Sequence, residues 1–219
     1  MPSCDKDYLA LRSDAEVIEA DGHGEKVLRL PDGSYLKVFR RKRLLTSAVW
    51  APYARRFADN AAALNRLGIA APDVVRVYRF PIIRCDVVHY RPLPGDTLRQ
   101  LIGSRRAGAD TRALLGGFVA SLHRLGVYFR SIHLGNVVLD EAGRFGLIDI
   151  ADMKIHRHAL SRWKRKRNFA HLMRYRMDQA WLLDDDGRAF IEGYVGQAEA
   201  RYSAQDLRSW FAAAARAGR

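Results

Sequence analysis

The chain has 219 residues, 48% of them hydrophobic and 28% charged, which excludes a disordered or low-complexity protein and allows a sizeable buried core. Its 37 Lys and Arg against 24 Asp and Glu give a formal charge of +13, which favours a polyanionic partner such as nucleic acid, anionic lipid headgroups or a phosphorylated substrate. Two cysteines, Cys4 and Cys85, are too few for a disulfide framework and point to a reducing compartment.

The N-terminus, MPSCDKDYLALRSDAEV, has no basic stretch followed by an apolar one, and no run approaches the ~20 apolar residues of a membrane span. A cytoplasmic protein is therefore expected. The first third reads as strands: AEVIEA (15–20), then DGHGE, KVLRL (26–30), the turn PDGS (31–34) and YLKVF (35–39). Pro-Asp-Gly between two apolar runs is a turn with a mechanism, since Pro presets φ and Gly permits φ > 0. Residues 52–67, PYARRFADNAAALNRL, place apolar side chains at helical spacing, with Gly68 as the expected stop. VVRVYRF (74–80) and CDVVHYRPL (85–93) are two further predicted strands. Helical periodicity returns in DTLRQLIG and TRALLGGFVASLHRLG (111–126), followed by the short apolar runs NVVL and FGLIDI on either side of DEAGR. From about residue 156 the pattern is helical. This order predicts an α+β protein with a small β-rich N-terminal lobe, residues 1–90 with one helix, and an α-rich C-terminal lobe, residues 91–219. A ligand cleft between two such lobes is the expected arrangement.

Phosphoryl transfer from ATP needs a cation on the phosphates, Mg²⁺ ligands, a covering loop and a group that orients the acceptor hydroxyl. Lys37, mid-strand in YLKVF, suits the first role, although a lone strand Lys is more often the solvent-facing half of an alternation. Gly22 and Gly24 in DGHGE would let backbone N–H groups approach phosphate oxygens, or simply turn a hairpin. Asn136 begins NVVL thirteen residues before Asp149 ends GLID. That spacing fits a β-hairpin presenting two hard oxygen donors to one cation.

Taken together, SLHRLGVYFRSIHLGNVVLDEAGRFGLIDIAD resembles the helix, catalytic loop and metal-binding Asp of protein-kinase-like small-molecule kinases. VVHYRPLPGDTLRQLI resembles their inter-lobe hinge. Across roughly residues 15–195 the chain is similar to the bacterial lipopolysaccharide core kinases, the heptose and Kdo kinase group that includes toluene-tolerance proteins. The resemblance implies a protein-kinase-like bilobal fold in which Lys37 contacts the ATP phosphates and Asn136 and Asp149 hold Mg²⁺. Tyr90 to Leu93 would lie beside the adenine. The family's catalytic Asp falls five residues before the Asn, where this chain has Ser131. The Glu that pairs with the strand Lys should lie within 52–67, where the chain offers Asp59 and Asn60 but no Glu.

A Ser hydroxyl is a far weaker base than a carboxylate, and general-base help is typically worth ~10²–10⁴-fold. Phosphoryl transfer depends less on a base than acyl transfer does, because positioning and charge dominate its loose transition state. His133, Asp152 or a water could replace the carboxylate. His133 reads equally as a structural loop residue, and Asp152 as the cap of a following helix. From Met153 to Met177 there are nine Lys or Arg and no acid. Arg162, Lys164, Arg165, Lys166 and Arg167 are expected at the acceptor side, where they suit an anionic substrate; a solvated basic face is the plainer reading. FRRKRLL (39–45) adds a second basic patch suited to lipid headgroups.

The sequence thus points to a Mg²⁺·ATP-dependent kinase for lipopolysaccharide core or another anionic glycolipid, with peripheral contact at the inner membrane. The alternative is a pseudokinase or scaffold of the same fold that binds nucleotide without transfer. Nucleic acid is not expected as a partner, because charge alone supports it and no recognised motif does.

Overall fold

The computed structural model describes residues 10–22, 24–40, 52–80, 84–197 and 202–217, so Cys4, His23 and residues 41–45 of the second basic patch lie outside the described residues. The chain is α+β and divides into two compact units. One holds Met1–Leu93 with Ile150–Asp152, the other Pro94–Asp149 with Met153–Arg219.

The first unit is built on a five-stranded antiparallel sheet in the order β1-β2-β3-β5-β4. Its strands are β1 (Glu16–Asp21), β2 (Gly24–Arg29), β3 (Tyr35–Arg40), β4 (Asp73–Phe80) and β5 (Cys85–Arg91). The PDGS turn closes β2–β3 as its composition demands. Gly33 takes φ +81°, its N–H bonds to Leu30 O at 2.9 Å, and Asp32 accepts from the Ser34 N–H at 2.9 Å. Leu28, Leu30, Leu36, Phe80, Cys85 and Val87 form an apolar layer on the sheet. Helix α1 (Tyr53–Arg66) buries Ala54, Phe57, Ala61 and Leu64, a 3–4-residue spacing that defines one apolar stripe. Full burial of Phe57 contributes roughly 2–3 kcal/mol. The helix stops at Gly68, whose φ of +73° lets its N–H reach Asn65 O at 3.1 Å.

The second unit opens with β6 (Asp96–Thr97) and α2 (Leu98–Gly103), where Thr97 and Gln100 form a reciprocal capping box. Helix α3 (Ala109–Arg124) leads into β7 (Val127–Phe129). Strands β8 (Val137–Leu139) and β9 (Phe145–Leu147) form a hairpin with β6 along its edge. Strand β10 (Met153–Ile155) returns antiparallel to β7. Helices α4 (Arg162–Leu172), α5 (Arg176–Leu182), α6 (Arg188–Gln197) and α7 (Ala204–Ala217) complete it. Their core gathers the fully buried rings of Phe169, Phe190, Tyr194 and Phe211. One feature differs from the sequence expectation: the residues after Asp152 form β10 in place of a helix. Strands β7 and β10 have three residues each, too short for a period-2 pattern to register, and are stabilised by pairing with each other.

Candidate active site

The hairpin register explains why a thirteen-residue spacing matters. Val137 pairs with Leu147, and Ile148 N–H donates to Asn136 O at 3.0 Å, so Asp149 lies one residue beyond the position facing Asn136. Asn136 is 7% exposed, and its side-chain amide donates to Ser131 O at 2.9 Å. A carbonyl only accepts, which forces Nδ2 toward Ser131 and leaves Oδ1 as the acceptor that can take a cation. Asp149 is exposed and sits in the left-handed region at φ 53°, ψ 43°. A non-glycine residue there costs on the order of 1 kcal/mol, least for Asp and Asn, and such conformations cluster at functional sites.

His133 caps the short turn Leu134–Asn136, its Nδ1 accepting from Gly135 N–H at 3.1 Å. The neutral ring therefore carries its proton on Nε2. Burial, and then the nearby Arg99 guanidinium, hold this imidazole below its ordinary range, against the opposing pull of Asp178 and Asp149. Arg99 grips Asp178 with two 2.9 Å hydrogen bonds, and Asp178, 1% exposed, also accepts from Leu134 N–H at 3.0 Å. The Tyr175 ring packs on both sides of this clamp, 4.3 Å from the Arg99 guanidinium and edge-on to His133 at 5.1 Å.

The start of the loop is anchored from the core. Arg165 Nη1 donates to Tyr194 OH at 2.8 Å, and Tyr194 OH lies 2.9 Å from His123 Nδ1. His123 Nε2 lies 3.0 Å from Asn168 Oδ1, and Asn168 Nδ2 donates to Phe129 O at 2.6 Å. Arginine only donates and a carbonyl only accepts, so the proton order runs one way from Arg165 to Phe129, with neutral His123 accepting at Nδ1 and donating at Nε2. Burial above all, with a smaller contribution from Arg165 and against the opposing hydrogen bond with Asn168, pushes the His123 pKa down to about 3.

Arg165, expected at the acceptor side, is instead buried, with Nε on Leu160 O at 2.9 Å, because its position on α4 faces the core. Its neighbours divide by helix face. Arg162 pairs with Asp206 at 3.0 Å and lies over the Trp210 ring, Lys164 donates to His156 at 3.1 Å, and Lys166 also approaches Trp210. Arg167 covers Trp163 at 4.9 Å.

In the first unit, Lys37 is half-buried on β3 between Val27 and Val88, with Nζ 5.9 Å from the Phe39 ring. Asp59 is not the partner the sequence offers it. Its carboxylate is exposed and binds Arg55 one turn away at 3.0 Å. The adjacent Asn60 donates to Ile150 O at 2.7 Å, fixing the residue that follows Asp149. Gly22 has open space around it, while a Cβ at Gly24, φ +109°, would meet Arg40 Nη2 at 2.6 Å. Asp21 pairs with Gly24 at the start of β2, and the positive φ of Gly24 is a reason for that glycine that needs no nucleotide. Tyr90 stacks on Tyr35 at 5.8 Å and tilts against Phe57 at 5.4 Å, so its ring belongs to an aromatic cluster, and Leu93 is half-buried. Asp152 lies 3.7 Å from Arg56, a loose ion pair, and caps no helix because β10 follows it.

No protein-family profile matches the chain, and no curated protein matches it in sequence. Among solved structures it is similar to the bifunctional kinase-methyltransferase WbdD. One WbdD structure, in complex with a kinase inhibitor, shares 16% identity over 88% of this chain and 42% of that chain, with a TM-score of 0.44. Monomeric WbdD shares 15% identity over 93% of this chain and 46% of that chain, with a TM-score of 0.46. This chain thus spans less than half the length of the WbdD chains it matches. Likeness at these scores carries no argument about activity, which rests on the chain's own geometry.

Among the described residues no three His, Cys, Asp or Glu side chains cluster as a metal site. The Asn136–Asp149 pair fits Mg²⁺ in the way that ion is commonly held, by one or two protein oxygens with the rest from phosphates and water. Arg99, Asp178 and Asn168 were not singled out by sequence, and Asn60 was named only as a neighbour of Asp59 in the helix. Only Asp178 left a signal, as the first acid after the acid-free stretch 153–177.

Proposed function

We propose that the protein is a Mg²⁺·ATP-dependent phosphotransferase with a protein-kinase-like fold, acting on a sugar hydroxyl of lipopolysaccharide core or a related anionic glycolipid. The observation that carries this reading is Asn136, whose amide is committed to Ser131 O while its Oδ1 is left for a cation beside the hairpin position of Asp149. Asn136 and Asp149 would hold Mg²⁺, and Mg²⁺ bound there would neutralise charge on the β- and γ-phosphates. Lys37 is the proposed phosphate contact, and Tyr90 to Leu93 the segment beside the adenine. Asn60 holds the backbone after Asp149 in place.

His133 serves this reaction as a hydrogen-bond donor through Nε2, since Nδ1 is engaged by Gly135 N–H. Ser131 cannot take the acceptor proton as a carboxylate would, so transfer relies on positioning and charge. The test is ATP-dependent phosphate transfer by the purified protein to core oligosaccharide. Transfer is expected to fall at least ~100-fold in Asp149→Ala and in Asn136→Ala. Nucleotide binding without transfer by the unaltered protein would overturn the kinase reading.

A second reading, a nucleotide-binding pseudokinase, draws support from the engagement of each candidate base: Ser131 is no carboxylate, His133 Nδ1 is hydrogen-bonded, and Asp152 faces Arg56. It predicts that Ser131→Asp creates transfer activity absent from the unaltered chain.

A further inference from the structure

The two most exposed large apolar side chains among the described residues, Met177 at 70% and Trp163 at 60%, both fall inside the acid-free segment 153–177. Trp163 and Arg167 lie at i and i+4 on one face of α4, and Arg174 is exposed in the short connection between α4 and α5. Lys166 and Arg176 are exposed beside them. A merely solvated basic face has no reason to expose an indole and a thioether among its cations, because leaving such groups in water forgoes the gain of burying them. Cations interleaved with an aromatic ring and a flexible apolar side chain are instead the composition of a surface that lies at a lipid–water boundary.

We propose that the strip from Trp163 to Met177 docks on an anionic bilayer, with Lys166, Arg167, Arg174 and Arg176 at the phosphate level and Trp163 and Met177 among the upper acyl chains. Charge complementarity selects the partner's sign. The exposed Met177 favours lipid over nucleic acid, since a thioether finds apolar surroundings in a bilayer and no stacking partner on a base. The strip would hold the chain where an anionic glycolipid acceptor of the proposed function lies. It includes Tyr175, whose ring packs on His133 and Arg99, so docking would bring headgroups to the candidate loop; only this and the placement of the acceptor rest on the kinase reading.

The test is co-sedimentation of the full chain with vesicles of phosphatidylcholine containing about one-third phosphatidylglycerol, without nucleotide. Binding is expected, weakening steeply with salt and absent on pure phosphatidylcholine. Lys166→Gln with Arg167→Gln should weaken it about 25-fold, near fivefold per cation. Trp163→Ser should weaken it about tenfold at constant charge. Trp163, Lys166 and Arg167 are all exposed, so thermal melting should stay unchanged and report intact folding. Failure to bind anionic vesicles, or binding indifferent to Trp163→Ser, overturns the inference. So does tighter, Trp163-dependent binding to a DNA or RNA oligonucleotide that vesicles do not compete away. Asp149→Ala should bind vesicles like the unaltered chain, so a failed kinase assay and a failed docking surface are separate results.

Discussion

At Asn136 one side chain can do two jobs: its amide nitrogen closes the loop onto Ser131 O, which leaves its oxygen as an acceptor. Asn136→Asp keeps a metal-ligating oxygen but loses the donor, so we expect weakened loop order with metal binding retained, read as higher amide exchange at 131–136 with Mn²⁺ affinity within about tenfold. Asp178 is the sharper case. It is buried, doubly bonded to Arg99 and bonded again to Leu134 N–H. Asp178→Ala leaves Arg99 and that N–H without their partner and should destabilise the protein by about 3–5 kcal/mol, measured by urea unfolding. The Asn–Asp spacing could be read along the chain because a hairpin is local. The Arg99–Asp178 clamp joins residues 79 positions apart and left no periodic trace.

Among the elements, α3 and α6 come together through glycine. A Cβ on Gly193 would lie 1.9 Å from Ala113 O, and one on Gly116 would lie 2.1 Å from Phe190 O. Gly193→Ala must force the helices apart and is expected to lose about 3 kcal/mol or more. Gly196, on the same helix with open space around it, should tolerate Ala and gain up to ~1 kcal/mol. Paired thermal melts of the two variants check whether close approach, and not helix propensity, is what these glycines serve. The sequence placed α3 through its apolar spacing and left α6 within a generally helical remainder, and it could not tell which glycine faces a neighbour.

For the molecule as a whole, the one-way chain from Arg165 to Phe129 O sets a pH limit. His123 must stay neutral to accept from Tyr194, and burial holds its folded pKa near 3 against an unfolded value near 6.5. Because the unfolded state binds the proton more readily, this contribution is complete above about pH 6.5 and is lost as pH falls toward 3. His133, also lowered, adds in the same direction. Stability should therefore decline below pH 6.5 with a slope approaching one proton or more. His123→Gln, which cannot titrate, should flatten that decline even if it lowers stability at neutral pH. An unchanged acid limb in that variant would show that other groups set it.

By itself the sequence located the strands of the first unit along the chain, the helices at 52–67 and 111–126 to within a few residues, and the hairpin that sets Asn136 and Asp149 at neighbouring positions. All of these follow from side-chain period, turn chemistry and short-range spacing. Only the tertiary structure decided that Arg165 is a buried donor, that Asp59 turns to Arg55 while Asn60 holds Ile150, and that His133 keeps its proton on Nε2. The Arg165 and Asn60 contacts depend on which residues distant in sequence meet across a packed interior, while those of Asp59 and His133 are local choices among donors that spacing alone leaves open. A charged or amide side chain is the same letter whether it ends in solvent, in a core or against a loop.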